Sequence, residues 1–160
     1  MPEVAPCVTL CEALLDKISE QIERTRHLIN LVPAGRLNWR PQPDDWTTAD
    51  LLGHLVYCIS GFCAVLAAAE PQRLAHFGKL REFPATIEIF HSHIEEGFAL
   101  LTDADLARRV PTVFVAQGES VLTLLLGNLE HLINHKHQLF NYLKQMGVAV
   151  ATPDLYRFRE

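Results

Sequence analysis

Two of the eight histidines in this 160-residue chain, His131 and His135, stand four residues apart. On a helix that spacing puts both imidazoles on one face, with Cβ atoms about 5–6 Å apart, close enough to share an ion above that face. Leu132 and Ile133 beside them, and Leu139 one turn on, are apolar, so the face is expected to point inward. His54 is the other histidine in an uncharged setting, near the start of Leu51–Ala69. In helical bundles, ligands from facing helices converge in the core. Three neutral imidazoles with a fourth position left to water make an open, catalytic type of zinc site. Imidazole suits nickel, copper and iron as well, so the ligands do not choose the metal. The alternative is a set of packed, hydrogen-bonded core histidines. Position 132 is Leu, so the H-E-x-x-H chemistry of zinc proteases is not indicated.

The remaining candidates are weaker. His137 projects about 200° around the helix from His135, so it is no partner in the same chelate. Cys58 lies four residues past His54 and can share its face, either as a thiol near the metal or as a packed core residue. His137 and Cys58 are also the only candidates for a general base. Glu88 and His91 form a single Glu-x-x-His, whereas a di-iron carboxylate bundle needs two such pairs and two further glutamates. Cys7, Cys11, Cys58 and Cys63 form no C-x-x-C pair and are read as free thiols. There is no Gly-rich phosphate loop and no G-x-S-x-G. Trp39 and Trp46 flank a loop and are expected to pack over the bundle end.

Helices must position these residues. Leu10, Leu14, Ile18 and Ile22 recur at steps of four within residues 8–32, with Glu20, Glu23, Arg24 and Arg26 suited to the wet side. A loop rich in Pro and Asp follows at 38–46. Thr47 with Asp50 approximates a capping box for a second helix, which runs to about Ala69. Residues 70–82 are polar and ambiguous. Pro84 suits the first turn of a third helix, which carries Ile87, Phe90, Ile94 and Phe98 and runs to about Leu101. Residues 103–118 form an irregular connection with a short extended piece at 110–115. The fourth helix runs from Glu119 or Ser120 to Met146, with Gly147 as its C-terminal cap. The tail, 148–160, is expected to drape over the bundle or a partner. The expected fold is all-α, one domain over 1–160, a four-helix bundle. Its connections at 33–46 and 102–118 are long for an up-down bundle, so they are either crossovers or part of a site.

Composition sets the frame for partners. A hydrophobic content of 49%, a charged content of 21% and a net charge of −5 describe a globular chain without the basic footprint of a nucleic-acid binder. Residues 1–6 show no signal-peptide pattern, which points to the cytoplasm. Leu51–Ala69 is uncharged and long enough to span a membrane. It contains His54 and lacks flanking basic residues, so it is read as a buried helix or subunit contact rather than a span.

Two stretches resemble the DinB/YfiT-like family. Trp46-Thr47-Thr48-Ala49-Asp50-Leu51-Leu52-Gly53-His54-Leu55 is similar to its signature of a Trp and a Ser/Thr cap followed by a helix carrying a His. HLINHKHQLFNYLKQMG, at 131–147, is similar to its last-helix motif, and Pro153-Asp154 fits its usual ending. The resemblance implies that His54, His131 and His135 occupy the positions of a metal triad. Gln138 is kept, while Lys136-His137 stands where many members have Arg-Gly; His137 and Gln138 then join Cys58 as candidates to surround the ligands. It also implies a four-helix bundle, often a homodimer, holding a divalent ion such as zinc or nickel. Characterised relatives include thiol-dependent transferases and isomerases. The expected function is thus a metal-dependent transferase or hydrolase acting on a small molecule, with a low-molecular-weight thiol as cosubstrate and no nucleic acid or membrane as partner. The competing readings are a non-catalytic metal-binding stress-response scaffold and a metal-free dimeric helical bundle.

Overall fold

Three of the four long helices begin on a side chain that caps them. The computed structural model describes residues 7–67, 79–112 and 115–157. Helix α1, Leu10–Asn30, starts at Thr9, whose hydroxyl accepts from the Glu12 amide at 3.2 Å while the Glu12 carboxylate accepts from the Thr9 amide at 2.7 Å. This is a complete capping box. Asp103, far along the chain, accepts from the Leu10 and Cys11 amides at 3.1 and 2.9 Å and satisfies two further donors at the same end. Helix α2, Thr48–Ala67, starts on the expected pair: the Asp50 amide donates to Thr47 Oγ1 at 3.1 Å, and the Thr47 amide donates back to the Asp50 carboxylate at 3.0 Å. Helix α3 spans Glu82–Ala99. Helix α4, Val121–Gln145, is capped by Ser120, and Gly147 follows it at φ +83°, the left-handed conformation a glycine accepts without strain.

Two expectations about single positions are corrected. Leu10, the first member of the α1 stripe, is exposed, and its neighbour Cys11 turns into the core in its place. Glu20, assigned to the wet side, is buried, and its carboxylate accepts from Lys17 Nζ at 3.0 Å.

Helix α2 packs against α3 and α4, α1 packs against the same two, and α1 barely meets α2. Around the bundle the order is therefore α1–α3–α2–α4, so the chain crosses a diagonal from α1 to α2 and again from α3 to α4. Both long connections are crossovers, and their length follows from that path. The second contains a 3-10 turn at Asp105–Ala107 and two short strands, β1 (Arg109–Val110) and β2 (Glu119–Ser120), paired antiparallel with Val110 opposite Glu119. The extended piece thus sits earlier than expected, and its partner is the segment read as the start of α4. Val113 and Phe114 of that piece, the ambiguous residues 70–78, and Ala68 and Ala69 lie outside the described residues.

The core gathers Ile18, Ile22, Leu28 and Ile29 of α1, Leu51, Leu52, Leu55, Ile59 and Phe62 of α2, Phe83, Ile87 and Ile94 of α3, and Leu125, Leu132, Leu139 and Leu143 of α4. By length and composition α2 could cross a membrane, but more than half of its apolar window is buried inside the protein, as befits the central helix of a bundle. The tail forms a short helix α5, Thr152–Leu155, docked on α1: Asp154 pairs with His27 at 2.7 Å and Arg157 with Asp16 at 3.0 Å.

Candidate metal centre

The inward stripe of α4 is Leu125, Leu129, Leu132, Lys136, Leu139 and Leu143. His131 and His135 each precede a member of that stripe by one residue, so they sit about 100° to its side. That side faces α2, where His54 likewise precedes the buried Leu55. The three imidazoles meet there: each offers one nitrogen, and all three lie within 4.8 Å of one another. His54 Nε2 and His131 Nε2 are 3.1 Å apart, and the ring centroids are separated by 4.4 to 5.0 Å. The expected inward orientation is corrected: His131 is exposed and His54 and His135 are half-buried, so the cluster opens at the surface of the α2–α4 seam. Leu and Lys side chains fill the axis of the bundle, leaving the imidazoles its edge.

Two of the rings, His54 and His131, are held in a neutral state. Partial burial, followed by the neighbouring His135 and His131, pulls the pKa of His54 down from 6.5 to about 4. Burial and then His135 lower that of His131 as well. His135 Nδ1 contacts Gln138 Oε1 at 2.9 Å, which makes Nδ1 the protonated donor and turns Nε2 toward the other rings. His131 Nδ1 lies 3.8 Å from Cys58 Sγ. Burial pushes the Cys58 thiol up to about 12, so it stays protonated at neutral pH.

The remaining predicted residues are placed as follows. His137 points away from the triad, stacks on Phe140, and lines a groove of about 360 Å³ with Asp45, Asn134, Gln138, Asn141 and Tyr142 among others. Gln138 forms the wall between this groove and His135. Glu88 and His91 do not converge: Glu88 approaches Arg26 at 3.9 Å, and His91 bonds Ser19 at 2.8 Å. All four cysteines are free.

The roles of three residues, Trp46, Asn128 and Lys136, escaped the sequence reading. Trp39 packs over the bundle end as expected, edge-on to Tyr142 at 5.4 Å. Trp46 does not: it stacks on His135 at 5.6 Å and 17°, lies 4.9 Å from the His54 ring, and is 43% exposed, so it walls one side of the triad. Its backbone carbonyl accepts from Tyr142 Oη at 3.0 Å. Its place next to the α2 cap was the available signal. Asn128 donates to the Cys58 carbonyl at 2.8 Å. It belongs to a stripe, 128-131-135-138-142, readable from helical spacing. Lys136, charged yet only 2% exposed, donates to Gln21 Oε1 at 2.6 Å and to the Leu155 carbonyl at 2.8 Å. Nothing in its immediate sequence announces that burial.

Comparison with known proteins agrees with this fold. A search of curated proteins returned no match. Two DinB-like proteins are among the solved structures that share the fold. A DinB-like protein from Bacillus cereus, 18% identical, superimposes with a TM-score of 0.77 over 90% of this chain and 97% of its own. A DinB-like protein from Bacillus subtilis, 15% identical, gives 0.72 over 91% and 99%. The family description for the DinB superfamily matches residues 17–139, which carry the whole triad and both crossovers. With a bundle of this topology and a match across most of its length, the chain belongs to the DinB superfamily.

Proposed function

We propose that the chain binds one divalent metal ion, zinc or nickel, through His54, His131 and His135, and works as a metal-dependent transferase or hydrolase on a small molecule with a low-molecular-weight thiol as cosubstrate. The observation that carries this reading is the convergence of three imidazole nitrogens within 4.8 Å at a surface opening. Ligand atoms about 2.0–2.1 Å from a tetrahedral ion lie roughly 3.3 Å from one another. The His54–His131 pair, at 3.1 Å, is already near that separation. When bound, a divalent ion supplies a Lewis-acid charge that lowers the pKa of a water or thiol at the open position. The protein's residues do the rest. Burial keeps His54 neutral and ready as a ligand. Gln138 fixes the tautomer of His135. Trp46 covers the cluster from the side of His54 and His135, which leaves approach from the exposed His131. The three ligands bring no negative charge, which favours an anionic group such as a thiolate opposite them.

Zinc titration of untagged protein, followed by elemental analysis, tests the first step. The expected result is about one ion per chain, with binding lost in His135→Ala. Uptake below about 0.2 ion per chain would overturn the reading, because an intact three-ligand site binds tightly. If ion binds, the second step is tested by thiol conjugation with small electrophiles. Turnover that disappears in His135→Ala supports the enzymatic reading, and its absence leaves a metal-binding protein without catalysis.

A further inference from the structure

An exposed imidazole rotates freely unless something holds it, and a metal ligand needs its ring fixed. His131 is the exposed member of the triad, and its ring is bracketed on both nitrogens by α2. Nε2 faces His54 Nε2 at 3.1 Å, and Nδ1 faces Cys58 Sγ at 3.8 Å. His54 and Cys58 are one helical turn apart, so they lie one above the other against the same partner. The backbone that carries the sulfur is pinned to α4. The Cys58 carbonyl accepts from Asn128 Nδ2 at 2.8 Å, three residues before His131, and a Cβ added at Gly61 would meet Asn128 Oδ1 at 2.7 Å. The α2–α4 crossing is therefore tight at the level of Cys58. Among the described residues the histidines paired with a carboxylate are His27 and His91, neither of them in the triad. The outer nitrogens of His135 and His131 meet a carboxamide and a thiol instead.

We propose that Cys58 is a positioning residue of the metal site: its sulfur accepts the Nδ1 hydrogen of His131 and holds that ring with Nε2 turned toward the ion. The proposal rests on the metal-binding reading above and adds a role for a side chain that otherwise counts as core. Outer partners of ligating histidines change metal affinity by about 10–100-fold when removed. Cys58→Val and Cys58→Ala remove the acceptor; Cys58→Ser restores an acceptor of similar size.

The test measures zinc affinity by chelator competition in the wild type and all three variants, with thermal melts of the metal-free forms recording packing separately. The expected result is a loss of about tenfold or more in the valine and alanine variants, with serine near wild type. Valine or alanine variants that bind like the wild type overturn the proposal while leaving the metal site standing. A wild type that takes up no zinc overturns both, so the two failures are distinct. Cobalt loading adds a spectroscopic check: a sulfur-to-cobalt band lost in Cys58→Val would make Cys58 a ligand and overturn its positioning role. Nitrogen-15 spectra of zinc-loaded wild type need no substitution. His131 Nδ1 is expected to carry a proton sheltered from exchange, and rapid exchange would overturn the proposal.

Discussion

His54 loses basicity through its partial burial and, after that, through its place beside two other imidazoles. In the metal-free protein the folded state takes up a proton at His54 only near pH 4, against 6.5 for an ordinary histidine. Between those values the unfolded chain holds the extra proton, so stability falls as the pH is lowered through that window. Urea denaturation of metal-free protein at several pH values checks this. Wild type is expected to lose stability more steeply across the window than His54→Leu, and parallel slopes would show that the ring carries no such penalty. At this scale much was legible. The spacing of His131 and His135 and the apolar setting of His54 named the three rings. Their exposure was not legible, because a side chain one residue from an inward stripe faces either a neighbouring helix or solvent depending on where that helix lies.

The α2–α4 pair is the element that assembles the site, and Gly61 sets its spacing. Alanine in place of an exposed helical glycine stabilises by about 0.5–1 kcal/mol through backbone entropy. Gly127 on α4 is exposed, and an added Cβ there meets nothing within 4 Å. Gly127→Ala is therefore expected to stabilise by that amount. At Gly61 the methyl must displace Asn128 and its bond to the Cys58 carbonyl. Overpacking of this kind costs about 1–3 kcal/mol, so Gly61→Ala is expected to be destabilising by about 1 kcal/mol net. Chemical denaturation of the two variants side by side checks the sign, and stabilisation by both would mean the crossing has slack. The helices themselves were readable from caps and periodicity: the Thr47–Asp50 pair and Gly147 fall where local chemistry puts them. The strand pair was misplaced because β1 and β2 exist only through each other. Gly118, at φ +77°, comes so close to the Val110 carbonyl that an added Cβ would lie 2.7 Å from it.

Across the whole molecule Lys136 ties three parts of the chain together. Its ammonium joins α4 to Gln21 of α1 and to the Leu155 carbonyl of the tail. Burial lowers its pKa from 10.5 to about 8, which still leaves it mostly charged at neutral pH. Lys136→Ala leaves two buried acceptors without a donor, each worth about 1–3 kcal/mol. The expected loss is about 2–6 kcal/mol by urea denaturation, accompanied by faster proteolysis of the tail. A loss under about 1 kcal/mol would show that water replaces the ammonium without penalty. The diagonal crossings belong to this scale too. A long connection signals a crossover or a functional loop; the helix order α1–α3–α2–α4 makes both connections crossovers, and Trp46 makes the first of them part of the site as well.

The sequence by itself determined the helices, their caps, the bundle class and the identity of the three imidazoles, because these depend on spacing within one element. The tertiary structure decided where the triad opens, that Trp46 walls it, that Cys58 backs His131, and that Lys136 is buried. Each of these depends on which element lies beside which: Cys58 and His131 are 73 positions apart and Gln21 and Lys136 are 115, separations that no helical spacing encodes.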